Sequence, residues 1–93
     1  MEVDNGREEE KNEVLLTQSQ ALVQELKQFL PLAKERQFGK KELIFGLQQI
    51  LKKYKLLKNT AFQVAINHVI ETDCENTCSI HLSADDVSVL WIS

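Results

Sequence analysis

Four side chains able to hold a soft metal ion fall within one short stretch: His68, Cys74, Cys78 and His81. A closed zinc site needs four such donors converging on one tetrahedron. Here three residues separate the two cysteines, and neither flank carries the paired spacing typical of zinc ligands. The expectation is therefore no metal and no cofactor, with His68 buried or half-buried and two free thiols near a loop. No catalytic arrangement stands out either. The three glycines, Gly6, Gly39 and Gly46, are too scattered for a phosphate-binding loop. Asp85 and Asp86 are adjacent acids, but a capping role explains them without acid–base chemistry. The reading is a chain that is not an enzyme.

Charge is the more telling pattern. Residues 1–30 hold seven acids and three bases, residues 31–58 eight bases and two acids, and residues 59–93 five acids with no Lys or Arg. A basic middle between acidic ends marks a surface that meets charged partners, or ends that shield the middle. The apolar fraction of 43% supplies one core in a chain of 93 residues, hence one domain. No apolar run is long enough to span a bilayer, so no membrane role is expected. The acidic start, Met1 to Glu10, lacks a basic-then-apolar secretory pattern. An intracellular setting, cytoplasmic or nuclear, is expected, and in it the cysteines stay reduced.

Residues 1–12 contain one Val after the start Met and otherwise polar residues or Gly, which predicts a disordered acidic tail ahead of a single helical domain over 13–93. From Val14 the pattern is helical: Leu15, Leu22, Leu26, Phe29 and Ala33 recur three, four or seven residues apart. Pro31 predicts an end or kink near Leu30, with another turn or two before Gly39. A second seam, Leu43, Leu47, Ile50, Tyr54 and Leu57, continues through Ala61, Val64 and His68. It is read either as one helix from about residue 40 to the low seventies, or as two helices broken near Lys58-Asn59-Thr60. The apolar face widens afterwards to Phe62, Ile66, Val69 and Ile70, which favours the break.

A specific signal follows at Leu82-Ser83-Ala84-Asp85-Asp86-Val87. Ser83 and Asp86 form a capping box and Leu82 and Val87 a hydrophobic staple, which predicts a last helix over 84–92 burying Val87, Leu90 and Trp91. The fold class is therefore all-α, a small bundle of three to four helices. The alternative is α+β, with two helices followed by a three-stranded antiparallel meander. It needs Phe62–Ile70 and Val87–Ile92 both as strands, since a lone hairpin is marginal in water.

With those elements placed, the lysines acquire positions. On one helical wheel Lys40, Lys41, Lys52, Lys55 and Lys58 gather on a shoulder beside the apolar seam. Phe45 and Leu56 lie among them on the outward side, where apolar residues suggest contact with a partner. Lys41, Phe45, Lys52, Lys55, Leu56 and Trp91 are therefore the candidate partner-binding residues, with Ile92 adding to the apolar excess. The function expected is that of an adaptor or regulatory subunit. Its partner is a protein: a second copy in a homodimer, or a different chain in a heterodimer. The alternative is a nucleic-acid-associated subunit whose lysines at 40–58 contact phosphates. The stripe is Lys-rich and the whole chain is acidic, with a net charge of −3, which weighs against that alternative.

The segment Ile80-His81-Leu82-Ser83-Ala84-Asp85-Asp86-Val87 resembles the second loop and third-helix start of histone-fold proteins. The resemblance covers roughly the C-terminal half, with the seam from Leu43 to His68 standing for the central helix and Leu15–Leu30 for the first. It implies dimerisation more than DNA contact. Where that family brings basic residues to DNA, this chain has Asp73-Cys74-Glu75-Asn76-Thr77.

Overall fold

The computed structural model describes the backbone of residues 2–91 and the side chains of residues 12–91. Of the acidic tail expected over residues 1–12, the side chains of residues 1–11 lie outside this range, as does Ile92. The chain forms α1 (Glu2–Glu35), α2 (Lys40–Leu51), a 3-10 helix (Lys52–Leu57), α3 (Ala61–Cys78) and α4 (Ala84–Ser88). Among the described residues there is no strand, so the fold is all-α. The strand alternatives over 62–70 and 87–92 are replaced by α3, α4 and a closing turn.

α1 runs through Pro31 rather than stopping before it. A proline inside a helix forfeits one backbone bond and costs about 3 kcal/mol. Here that bond would have gone to the carbonyl of Lys27, and Lys27 and Pro31 are both exposed, so the loss falls on the solvent side, where it costs least. Leu26, Leu30 and Ala33 on the opposite face are all but fully buried, and their burial outweighs the loss. The helix stops at Gln37 in the left-handed conformation (φ 57°). There the Phe38 amide donates to the Ala33 carbonyl and the Gln37 amide to that of Lys34, a Schellman closure.

α2 packs antiparallel on α1. The Phe29 ring lies on Gly46, and one turn earlier in α1 Glu25 accepts hydrogen bonds from Lys53 and Tyr54. Burial pushes the Glu25 carboxyl up, but these two donors and the Lys53 charge outweigh it and bring its pKa below 4.5. Burial and the Glu25 charge raise the Tyr54 phenol to about 12. Tyr54 also leaves helical geometry (φ −121°, ψ 42°), so the break in the second seam begins before the expected Lys58-Asn59-Thr60. It is completed there by an extended Lys58 and a left-handed Asn59 (φ 64°). Thr60 then caps α3 by accepting from the Phe62 amide.

This break resets the phase of the apolar seam. α3 buries Ile66, Ile70 and Cys74, while Val64 is 59% exposed and His68 also faces solvent. The expected continuation through Ala61, Val64 and His68 is thus incorrect, because three non-helical residues rotate the next helix about its axis. α3 runs parallel to α1, with the Cys78 thiol against the Leu30 carbonyl at 3.5 Å. One core joins Leu15, Leu22, Leu26 and Leu30 of α1, the leucines of α2, Leu57, and the buried face of α3.

α4 opens with the expected capping box. Ser83 Oγ accepts from the Asp86 amide at 3.2 Å, and Asp86 Oδ2 accepts from the Ser83 amide at 2.9 Å. The helix is shorter than the expected 84–92, ending at Ser88, and a turn delivers Leu90 and Trp91 to the core. Three polar contacts hold the segment. Lys40 pairs with Asp86 at 2.5 Å, Gln48 donates to the Val89 carbonyl at 2.9 Å, and the Trp91 indole donates to Asn67 Oδ1 at 2.7 Å.

Lys40 and the Ser83 amide lower the Asp86 carboxyl from 3.8 to about 2. A depressed carboxyl contributes stability that is fully present above its unfolded value and is lost as pH falls through its folded value. The contribution of Asp86 is therefore intact above pH 4 and lost between about pH 4 and pH 2. Acid titration of the indole N–H resonance of Trp91 is expected to report loosening of the C-terminal segment in that window. In Asp86→Asn the segment is weakened at neutral pH and that titration step is absent. A wild-type-like step in the variant assigns the transition to another carboxyl.

Candidate functional site

The candidate residues occupy α2, the 3-10 helix and the C-terminal turn. On α2 the buried stripe is Leu43, Leu47 and Leu51. Lys41 and Phe45 fall on the opposite side, since each lies about 200° from Leu43 at 100° per residue. Lys52, the first residue beyond α2, keeps helical dihedrals (φ −56°, ψ −29°) and extends that outer strip. Phe45 is 62% exposed, so much of an aromatic side chain faces water between Lys41 and Lys52.

The 3-10 helix then breaks the period, because Tyr54 inside it has non-helical dihedrals and two short turns meet there at a kink. Tyr54 and Leu57 face inward, and Leu57 is fully buried. Lys53 is held by Glu25, and Leu56 is 61% exposed. Lys52, Lys55 and Lys58 are exposed. These three line a small hollow of about 10 Å³ together with Leu51, Leu90 and Trp91. Among the described residues Lys40 and Lys53 pair with acids, whereas Lys41, Lys52, Lys55 and Lys58 pair with none.

The structure thus places Lys41, Phe45, Lys52, Lys55 and Leu56 along one exposed run of α2 and the 3-10 helix. Trp91 does not belong to it. Its ring is 5% exposed and its indole N–H is spent on Asn67, so Trp91 is core beneath the lysines rather than a contact residue. Lys58, already on the shoulder read from the sequence, lines the same hollow as Lys52 and Lys55.

The other clusters disperse. His68 and His81 are exposed on α3 and after it, Cys74 is in the core, and Cys78 is half-buried. Among the described residues no three His, Cys, Asp or Glu side chains converge as metal ligands. Burial, with smaller contributions from Cys78 and Asp73, raises the Cys74 thiol to about 12, which leaves it protonated and unreactive at neutral pH.

A second feature escaped the sequence reading. Val23 on α1 and Phe62, Ala65, Ile66 and Val69 on α3 line an apolar groove of about 240 Å³, rimmed by Ser19, Gln20 and Gln24. The widening of the apolar face after residue 61 was its only signal, since the groove exists only where two distant helices lie parallel. Among the described residues no helix is long and apolar enough to cross a membrane. No family model, curated protein or solved structure matches this chain.

Proposed function

We propose that this chain is a non-catalytic protein-interaction module, an intracellular adaptor or regulatory subunit that recognises its partner through the outer strip of α2 and the 3-10 helix. One observation carries the reading. Phe45 and Leu56 stand 62% and 61% exposed on the same run as lysines that have no acidic partner among the described residues. Apolar side chains reward burial and the cations select an acidic counterpart and speed encounter. The perturbed groups support binding over catalysis. Glu25 and Tyr54 hold the kink, Asp86 caps α4, and the Cys74 thiol is locked in the core.

The partner is a different protein or a second copy, as the histone-fold resemblance at Ile80–Val87 implies. Sedimentation of the chain alone and affinity capture from the native cell distinguish the two. Changing Lys41, Lys52 and Lys55 together to Glu is expected to abolish partner binding while leaving the thermal unfolding curve close to wild type, since exposed substitutions shift stability by about 0.5 kcal/mol or less. Retained binding removes the electrostatic part of the proposal. Phosphate contact by the same lysines is the competing reading. It predicts affinity for an oligonucleotide that falls log-linearly and steeply with salt, whereas an interface anchored by Phe45 and Leu56 responds weakly.

A further inference from the structure

We propose that two copies of this chain pair through the groove between α1 and α3, each laying the Glu13–Lys27 stripe of its own α1 antiparallel into the groove of the other. This surface is separate from the outer strip. Val23 in the groove lies about 160° around α1 from Glu25, the residue that holds Lys53 and Tyr54, at 100° per residue.

The stripe is written into α1. Glu13, Leu16, Gln20, Val23 and Lys27 are spaced three, four, three and four, and they fall within about 80° of one another on the helix. That alternation is the spacing of a helix–helix seam. It runs beside Leu15, Leu22 and Leu26, which fill the core of their own chain, and Leu16 is left 48% exposed. The groove supplies the receiving surface. Its apolar floor of Val23, Phe62, Ala65, Ile66 and Val69 continues past Val69 into a second hollow of about 340 Å³, where Lys27, His68, Thr72 and Asp73 stand. From Phe62 to Asp73 it is about 16 Å long, three turns of an incoming helix.

Charge selects a second copy as the occupant and antiparallel as its direction. A two-fold axis between Ser19 and Gln20 makes Leu16 of each copy level with Val23 of the other, at the groove. The same axis brings Glu13 of each copy within about 1.5 Å, measured along the helix, of the level of Lys27 of the other. Among the described residues neither has an ion partner in its own chain. Charges of opposite sign continue beyond both, since acids outnumber bases ahead of Glu13 and bases outnumber acids from Lys27 to Arg36. A parallel pair would set Glu13 on Glu13 and Lys27 on Lys27, at a cost. Gln20, nearest the axis, meets Gln20 of the second copy, and an amide that both donates and accepts satisfies its twin and fixes the register. Asp73 lines the hollow from α3, so the ion match is confined to α1, and the test exchanges charge there alone.

Sedimentation equilibrium of the full chain tests the pairing, with circular dichroism to show that each variant keeps its helices. Wild type is expected to follow a monomer–dimer equilibrium. Ala65→Glu and Leu16→Glu, both at exposed positions, are each expected to weaken it by about tenfold or more, because each buries an unpaired charge twice in a two-fold contact. Glu13→Lys and Lys27→Glu alone are each expected to weaken it by about threefold or more, and the two together to restore it to within about twofold of wild type. Gln28→Glu, exposed and 140° around α1 from Val23, is the control and is expected to change nothing. A chain that stays monomeric at every concentration overturns the inference, and so does a dimer indifferent to Ala65→Glu. Failure of the double exchange to restore what its singles lose overturns the antiparallel register. A dimer broken by Phe45→Ser but not by Ala65→Glu places the second copy on the outer strip, which sinks this inference and leaves the interaction role standing.

Discussion

Trp91→Ala is expected to remove about 3–5 kcal/mol of folding stability, the range seen for truncation of a buried tryptophan. The helical reading of residues 84–92 already buries Trp91, and the structure gives two reasons for so large an effect, which add. The ring is 5% exposed and completes the core beneath α2, the 3-10 helix and α3, so its loss opens a cavity that a five-residue helix cannot close. Its indole N–H also satisfies Asn67 Oδ1, which is left without its partner. Against a total of about 5–14 kcal/mol for a domain of this size, the variant is left marginal. Urea unfolding followed by circular dichroism measures the loss. Trp91→Phe separates the two causes, keeping most of the volume and costing about 1–2 kcal/mol for the hydrogen bond. A variant with alanine at this position that unfolds within about 1 kcal/mol of wild type would contradict a core role and return Trp91 to the surface.

Why was this residue read as buried by its own helix and yet also offered as a partner contact? The sequence places Trp91 beside the end of the chain, twenty-four positions from Asn67. Periodicity reports which residues share a face of one element and says nothing of which face of another element they meet. Local signals were legible because their partners lie within one turn. The Ser83–Asp86 box, the Thr60 cap and the stripe of Leu15, Leu22 and Leu26 are cases where three or four residues hold the whole cause. Pro31 misled for the converse reason: its local penalty is real, but burial contributed by distant α2 and α3 outweighs it. The wheel that gathered the lysines on one shoulder assumed a constant 3.6-residue period. Tyr54, bonded to Glu25 on another helix, breaks that period. The α2 part of the wheel therefore keeps its phase, and the directions of the lysines after Lys52 depart from it.

Gly46→Ala offers the sharpest test of how α1 and α2 meet, because helix propensity and packing push it in opposite directions. In the middle of a helix, replacing Gly by Ala gains about 1 kcal/mol. An added Cβ at Gly46, however, lies 2.4 Å from Cζ and 2.9 Å from Cε1 of Phe29, well inside van der Waals contact. The ring is not free to swing aside. It packs against Phe38 with centroids 6.2 Å apart, and Phe38 is fixed by the closure that ends α1. Overpacking of this kind costs about 1–3 kcal/mol, so the net expectation after the helix-propensity gain is a loss of up to about 2 kcal/mol. The cycle with Phe29→Leu identifies the cause, since in that background the same change is expected to be neutral or stabilising, a coupling of about 1 kcal/mol or more. Raised stability of the single variant in urea would show that the ring yields and that the close approach is incidental. If the clash holds, the glycine has a role beyond stability. It sets the distance at which α2 lies on α1, and with it the position of Lys41 and Phe45 on the outer face, one residue chosen for what it lacks so that its neighbours can be presented.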